Sequence, residues 1–264
     1  MKLTKEELKK IKSLNSKKGR KEQRKFAVGG VRLLEEALKH KFLPNMLLYA
    51  SAVLSERGQE LVSAFKKLNV TVNELSSREI ESVCDTKSSQ GILAIFNTPE
   101  QDLSKLYKPY YRRLLLCDEI TDPGNLGTLA RSALAFEFDM MLVSRKSIEL
   151  YNPKVVRSSA GALFKLPVAN VSYEELKDFK NRKKARLIAS KASSNNSMTE
   201  LPLSTNNPII LAIGSEAAGL SERVLKLSDA VISIAHSPQA ESLNAAVAGS
   251  IIMKQIYDRD KNQK

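Results

Sequence analysis

The stretch that decides the fold is RLLLCDEITDPGNLGTLARSA, residues 113–133. It opens with an apolar run that ends in Asp118, typical of a strand buried on both faces of a parallel sheet. A Pro-Gly turn follows, and from Asn125 onward apolar residues recur at helical spacing. We expect Asn125 to be the N-cap of this helix, since asparagine there satisfies free backbone N–H groups. Strand, turn and helix in this order predict an α/β fold.

The same alternation continues from this stretch to residue 257. Continuous apolar segments predict strands at 113–118, 139–144, 166–171, 185–190, 208–214 and 230–235. Amphipathic or apolar segments between and after them predict helices at 125–136, 153–165, 173–181, 221–228 and 242–257. This half of the chain is therefore predicted to form a parallel sheet covered on both faces, with ligand-binding loops beyond the C-terminal ends of its strands.

The N-terminal part of the chain predicts a smaller α/β unit. A capping box of Thr4 and Glu7 precedes the first helix. Further helices are expected at 31–39, 55–68 and 77–83, and strands at 45–50, 70–74 and 91–96. A polar, proline-containing stretch follows and has no clear periodicity. The predicted organisation is a domain at 1–98, a linker at 99–112 and a second domain at 113–264.

The composition favours a nucleic-acid partner. The 42 Lys and Arg exceed the 29 Asp and Glu, for a net charge of +13. A basic run contains Lys17, Lys18, Arg20, Lys21, Arg24 and Lys25. This run is either a solvated face or an arm that contacts RNA phosphates. A stacking single-strand binder fits poorly, because aromatics make up 6% and tryptophan is absent.

The sequence also sets expectations about setting and metals. Two cysteines and two histidines are too few for a disulfide framework or a four-cysteine zinc site, so no metal is expected. No apolar run reaches the length of a membrane span, and the first ten residues lack the apolar segment of a signal peptide. We therefore expect a cytoplasmic protein without membrane association.

Three predicted strand ends carry residues suited to ligand binding. The first strand is followed by Gly127 and Arg131 on the predicted helix. Residues 213–221 (IGSEAAGLS) form a glycine-rich strand-to-helix turn, which suits nucleotides but lacks the P-loop and dinucleotide fingerprints. Residues 241–244 (ESLN) precede a nearly uncharged helix, expected in the core or in a dimer interface. Each motif alone is also compatible with an ordinary turn or a capped helix.

Together, the motifs resemble those of the SpoU-type (TrmH-like) RNA 2′-O-ribose methyltransferases of the SPOUT class. The resemblance rests on Asn125-x-Gly127-x-x-x-Arg131, on Gly214-x-Glu216-x-x-Gly219-Leu220-Ser221 and on Glu241-Ser242-Leu243-Asn244. NPKVVRSSAGALF at 152–164 is similar to a basic helix start of the family. The N-terminal unit resembles the family's auxiliary RNA-binding domain, related to ribosomal RNA-binding proteins, including TKSSQGILAIF at 86–96.

The resemblance implies a fold, a cofactor and an assembly. It implies a deep trefoil knot in the C-terminal parallel-sheet domain and an obligate homodimer. It also implies S-adenosylmethionine held by Gly214, Ile234 and Leu243, largely through backbone groups. An already activated methyl group needs no metal. The implied substrate is structured RNA, with ribosomal RNA favoured over tRNA because of the auxiliary domain. A non-catalytic RNA-binding protein on the same scaffold remains the alternative.

The resemblance also implies residue roles. Arg131 would act on the ribose 2′-hydroxyl, either taking its proton or stabilising the alkoxide, and Asn125 would fix Arg131 and its loop. Ser242 and Asn244 would position the target nucleotide, and Glu216 would brace the site. The basic positions expected to contact RNA are Lys17, Lys18, Arg20, Lys154 and Arg157.

The sequence departs from the family pattern at several positions. Glu137 stands where glycine is common, and Gly29 stands where glutamate is frequent. Ala235, His236 and Pro238 replace a proline, a hydrophobic residue and a glycine, and Ala245-Ala246 replaces Val-Ser. The three motif cores are intact, so we expect an active enzyme.

Overall fold

The computed structural model describes residues 3–85, 90–192, 207–237, 239 and 241–262. The chain forms two compact units. The first comprises Met1–Pro99 and Glu149–Lys165, and the second comprises Glu100–Ile148 and Leu166–Lys264. Residues 86–89, which belong to a quoted family motif, and Pro238 lie outside the described residues.

The first unit is built on a four-stranded sheet with the order β1-β4-β2-β3. β2 and β3 are parallel, and β4 runs antiparallel to both of its neighbours. The strands are β1 (Lys25–Gly29), β2 (Met46–Tyr49), β3 (Thr71–Glu74) and β4 (Ile92–Asn97). The helices are α1 (Lys5–Ser13), α2 (Lys17–Gln23), α3 (Val31–Lys39), α4 (Glu56–Lys67), α5 (Ser77–Val83) and α8 (Pro153–Ser158), with a 3₁₀ turn at Ser51–Val53.

Three elements of this unit differ from the prediction. Helix α2, which was not predicted, fills most of the basic run. Strand β1 begins at the last residue of the run, Lys25, and its charged neighbours conceal the alternation of buried Phe26 and Val28. The helix expected at 153–165 is also wrong, because α8 ends at Ser158 and a 3₁₀ turn covers Ala162–Phe164. The chain between them passes through left-handed backbone at Gly161, with φ +91, which an α-helix does not accommodate.

The segment Glu149–Lys165 packs within the first unit, although its sequence motif belongs to the second half. Arg20 on α2 donates from Nε to Glu149 Oε1 at 2.9 Å and from a terminal nitrogen to the Leu14 carbonyl at 2.8 Å. Phe26 and Tyr151 stack with ring centroids 4.4 Å apart. These contacts leave Arg20 only 4% exposed. The interpretation of Arg20 as an RNA contact is therefore corrected, because its guanidinium is committed to the fold.

The second unit is a six-stranded, fully parallel sheet with the order β10-β8-β9-β5-β6-β7. The strands are β5 (Arg113–Asp118), β6 (Met140–Ser144), β7 (Val168–Val171), β8 (Arg186–Ser190), β9 (Ile209–Gly214) and β10 (Ala230–Ile232). The helices are α6 (Leu103–Leu106), α7 (Pro123–Ala135), α9 (Tyr173–Lys183), α10 (Glu222–Leu227) and α11 (Ala245–Asn262). The parallel α/β sheet predicted from the sequence is confirmed.

The residues expected to link the domains carry structure of their own. Leu103 on α6 is buried in the core of the second unit, and Tyr107 and Tyr111 pack against that core. Gln101 accepts a hydrogen bond through its carbonyl from the Asn170 N–H at 3.1 Å. Tyr107 also meets Phe179 edge-to-face with centroids 4.9 Å apart. This stretch therefore packs on one unit along much of its length.

Helices α7 and α11 pack together beside the central strands. Ser132 Oγ and Ser250 Oγ share a hydrogen bond of 2.7 Å, and Ile252, Met253 and Ile256 of α11 are fully buried. Helix α7 begins two residues earlier than expected. Its N-cap is Asp122, whose Oδ1 accepts from the Asn125 N–H at 2.7 Å. The prediction that Asn125 is the cap is wrong, and Pro123 at the first helical position was the sequence signal for it.

Other expectations concern the topology and the surroundings of the chain. The trefoil knot implied by the resemblance stays a prediction. In the part of the chain that the structure describes, no helix is long and apolar enough to cross a bilayer. Among the same residues, no three His, Cys, Asp or Glu side chains are grouped to hold a metal ion.

Candidate active site

Asn244 joins the three motif loops. Its Nδ2 group donates to Asn125 Oδ1 at 2.9 Å and to the Glu216 carboxylate. Its Oδ1 accepts from the Ala246 N–H at 3.0 Å and the Val247 N–H at 3.1 Å, so the same side chain satisfies the first turn of α11. Residues more than a hundred positions apart are thereby held in one constellation at the C-terminal edge of the sheet.

Arg131 lies on the exposed face of α7, six residues after Asn125. Within the described residues, its guanidinium makes no ion pair or hydrogen bond. The expected contact between Asn125 and Arg131 is not formed, because the Asn125 side chain is turned toward Asn244. Arg131 is therefore left available to a ligand.

A cavity of 530 Å³ opens where β8, β9 and β10 end. All three residues expected to hold the cofactor line it, namely Gly214, Ile234 and Leu243. Glu216, Ser242 and His236 contribute to the same walls. The His236 Nδ1 group donates to the Ile234 carbonyl at 2.7 Å. The volume lies within the range of small-molecule and cofactor sites.

The glycine-rich turn after β9 is packed backbone against backbone. Ser215 and Gly219 exchange two backbone hydrogen bonds, of 3.0 and 2.9 Å. A Cβ on Gly214 would lie 2.1 Å from the carbonyl carbon of Gly219, a distance that real side chains do not reach. Gly219 has φ +67, and a Cβ there would meet nothing within 4 Å. The turn therefore requires glycine at 214 for space and favours it at 219 for backbone conformation.

Asp118 is a site residue that the sequence interpretation did not use. It pairs with Gly214 in the β5–β9 register and is 3% exposed. Its Oδ2 accepts from the Ser221 N–H at 2.9 Å, which ties the end of β5 to the start of α10. An acidic residue at the end of an apolar strand is the signal that could have identified it.

The residues expected to contact RNA lie in the first unit. Lys17, Lys18 and Lys154 are exposed, and Lys18 forms only a 3.8 Å surface pair with Glu22. Arg157 forms an ion pair with Asp85. Arg20 is buried, as described above. Four of the five positions therefore present cations to solvent, and Arg157 does so while paired with Asp85.

The backbone conformation at Glu137 explains why glycine is common at this position in the family that the motifs resemble. Its backbone has φ +55, in the left-handed region that favours glycine. The carboxylate lies 3.6 Å from Arg113 and 3.5 Å from Lys261. The ion pairs partly offset the backbone strain that the glutamate introduces.

The geometry agrees with comparisons to known families. Residues 112–254 match the SpoU rRNA Methylase family, and residues 5–94 match the MRM3-like substrate binding domain. The chain belongs to the SpoU family. The family predicted from the three motifs is thus confirmed.

Individual relatives cover most of the chain. A 23S rRNA (guanosine(2553)-2′-O)-methyltransferase, RlmP of Bacillus subtilis, is 28% identical over 242 residues, with 92% of each chain covered. A 23S rRNA (uridine(2479)-2′-O)-methyltransferase of Streptomyces viridochromogenes is 30% identical over 86% of this chain and 80% of its own length. The crystal structure of the SpoU methyltransferase AviRb from the same organism, in complex with AdoMet, superposes with a TM-score of 0.86 at 26% identity, covering 98% of this chain and 99% of AviRb.

Proposed function

We propose that this SpoU-family chain methylates a ribose 2′-hydroxyl of ribosomal RNA with S-adenosylmethionine. The observation that carries the proposal is the joining of Asn125, Glu216 and Asn244 beside the cavity lined by Gly214, Ile234 and Leu243. If the motifs served only to cap a helix or to form a tight turn, their three loops would not have to be hydrogen-bonded to one another.

The residues of the cavity fit the proposed cofactor. Gly214 and Gly219 carry no side chains and pack backbone against backbone, so this part of the cavity wall offers backbone groups to a ligand. The half-buried Ile234 and Leu243 offer apolar surface for a base or a thioether chain. When bound, S-adenosylmethionine supplies a methyl group on a positively charged sulfur.

The remaining steps fall to side chains of this chain. A ribose hydroxyl must lose its proton as it attacks, and a group aimed at the developing negative charge lowers the barrier. Arg131 is a cation without a partner among the described residues, and it fits this role either directly or through the adjacent RNA phosphate. Asn244 and Ser242 lie at the mouth of α11, where they would orient the target nucleotide. Glu216 positions Asn244.

Ribosomal RNA is favoured over tRNA as the substrate. The two named relatives act on 23S rRNA, and the first unit matches a substrate-binding domain. Lys17, Lys18 and Lys154 give that unit exposed cations for phosphates. A tRNA substrate is the alternative, and the two are distinguished by which RNA accepts methyl groups.

The proposal includes a homodimer in the cytoplasm. Val247 is 47% exposed on a helix whose opposite face is buried, so α11 presents apolar surface that a second copy could cover. In such a dimer, a ligand held by the motif loops of one copy could also contact Arg131 of the other copy. Both cysteines are outside disulfides, in keeping with a reducing compartment. Light scattering that gives the mass of a monomer would contradict the dimer.

The test uses the full chain, labelled S-adenosylmethionine and purified ribosomal RNA or tRNA. We expect methyl transfer to ribosomal RNA and a loss of about a thousandfold in Arg131→Ala, with unchanged cofactor affinity by calorimetry. Arg182→Ala, an exposed arginine on α9 outside the constellation, controls for lost charge. Cofactor-independent RNA binding without transfer would instead support a non-catalytic RNA-binding protein, and unchanged turnover in Arg131→Ala would contradict the assigned role.

A further inference from the structure

The second unit contains another cavity that the proposed reaction does not use. It measures 470 Å³ and lies where β5, β6 and β7 end, beside the first turn of α10. Glu222 lines both this cavity and the cofactor cavity, so the two are neighbours along one edge of the sheet. Ligands of parallel sheets bind at this edge.

The walls of the second cavity combine an apolar floor with a stacking surface. Leu116, Val171, Leu176 and Val224 form apolar lining. Tyr173 lies at the start of α9, and the Arg223 guanidinium is centred 5.7 Å from its ring centroid. Unpaired RNA bases stack on aromatic rings and on arginine planes of this kind.

The rim of the cavity carries cations that are free to exchange partners. Arg145, Lys146 and Arg223 pair with Glu175, Glu119 and Glu174 at 3.0, 2.9 and 3.8 Å. Their side chains are 65%, 78% and 73% exposed. Exposed pairs contribute little to stability, so RNA phosphates can replace the glutamates at small cost.

Asp118 places a carboxylate in the wall of this cavity. The residue is only 3% exposed, and its Oδ2 accepts the hydrogen bond from the Ser221 N–H described above. A buried carboxylate is costly unless polar partners satisfy it. In nucleic-acid recognition, aspartate and glutamate accept hydrogen bonds from exocyclic amino groups of bases.

We propose that the second cavity binds an unpaired, amino-bearing base of the RNA near the methylated nucleotide. The base stacks against the Tyr173–Arg223 pair and donates its exocyclic amino group to Asp118. This inference rests on the proposed RNA methylation. It adds a specificity site that selects which ribose is presented to the cofactor.

The first experiment compares Tyr173→Ala and Tyr173→Phe in the full chain. Stacking by a base predicts that Tyr173→Ala raises KM for ribosomal RNA about tenfold, while Tyr173→Phe stays within about twofold. Tyr110→Ala is the matched control, since Tyr110 is the more exposed tyrosine of the same unit and does not line the cavity. All three variants are expected to keep the affinity for S-adenosylmethionine and the Tm of the parent.

The second experiment tests the role of the Asp118 carboxylate by removing amino groups from bases of the RNA substrate. The RNA fragment carries, one position at a time around the methylated nucleotide, a base analogue without its exocyclic amino group. We expect one position at which the parent loses about tenfold in kcat/KM and Asp118→Asn shows no such difference. A role of Asp118 in holding α10 alone would give equal discrimination in both proteins.

The outcomes separate this inference from the function beneath it. If the parent transfers methyl groups to RNA and Tyr173→Ala keeps the parental KM, the base site is wrong and the methyltransferase stands. The base site is equally contradicted if the parent discriminates at no position of the RNA. If the parent transfers no methyl group to any RNA, both proposals are overturned.

Discussion

The two cavities of the second unit lie at the same edge of one parallel sheet but are built differently. The first is shaped by a backbone turn around Gly214, where one added carbon would collide with Gly219. The second is shaped by long side chains, with exposed ion pairs on its rim and the buried Asp118 in its wall. We therefore expect the first cavity to be sensitive to added bulk at Gly214, and the second to tolerate substitution better and to depend more on salt.

The largest effect on cofactor affinity is expected at Gly214, and it tests most directly whether a backbone turn shapes the first cavity. Gly214→Ala should lower the affinity for S-adenosylmethionine by about a hundredfold or more, roughly 2.7 kcal/mol, because the turn must move to accept the methyl group. Calorimetry measures the affinity directly. An affinity within threefold of the parent would show that the backbone turn does not shape the cofactor cavity.

Gly219→Ala is the matched control for that substitution. The new Cβ would meet no atom within 4 Å, although the φ of +67 costs an alanine about 1 kcal/mol. We therefore expect a slightly lower Tm and a cofactor affinity much closer to that of the parent. Equal losses in the two variants would mean that general loosening of the turn causes both.

Salt should separate the RNA surface from the cofactor cavity. The three lysines of the first unit, with about three phosphate contacts, should by themselves lower the RNA affinity roughly 20-fold between about 50 and 200 mM salt. Cofactor affinity should change by less than about twofold, because backbone and apolar contacts dominate that cavity. Filter binding and calorimetry measure the two. Replacing Lys17, Lys18 and Lys154 by alanine should make the salt dependence less steep, and an unchanged slope would show that these lysines contact no phosphate.

Asn244 tests how the motif loops are coupled. Asn244→Ala should reduce methyl transfer about tenfold and destabilise the chain by about 1 kcal/mol, since it loses both the loop contacts and the first-turn cap of α11. Asn244→Asp keeps the acceptor for the cap but removes the donor to Asn125 and sets a second carboxylate against Glu216. We expect this variant to retain more stability than Asn244→Ala and to lose activity. Full activity in Asn244→Asp would rule out the coupling.

The smallest effect is expected at Glu137. Because this residue lines neither cavity, its substitution should change stability without changing activity. Glu137→Gly should raise the free energy of unfolding by about 0.5 kcal/mol, because relief of left-handed strain exceeds two surface ion pairs. Glu137→Ala keeps the strain, loses the pairs and should be less stable than the parent. Urea unfolding measures both, and methyl transfer should not change. A less stable glycine variant would show that the ion pairs dominate.

Local sequence signals accounted for many elements and most motif positions. Buried strands such as β5 and β9 are continuous apolar runs, and the capping box at Thr4 and Glu7 appears as predicted. The sequence signals gave wrong predictions where two local preferences pointed to different structures. Basic neighbours hid β1, Gly161 interrupted the helix after α8, and Asp122 rather than Asn125 capped α7.

The sequence by itself determined the α/β class, the family and three residues that line the 530 Å³ cavity, Gly214, Ile234 and Leu243. The class follows from periodicity, which is a local property of the chain, whereas the family and the three cavity residues follow from the resemblance of its motifs to a known family. Only the tertiary structure decided that Arg20 is a buried structural cation, that Asn244 joins Asn125 to Glu216, and that Asp118 faces a second cavity. Burial and hydrogen-bond partners depend on residues distant in sequence, because the fold brings separate strand ends to one edge of the sheet.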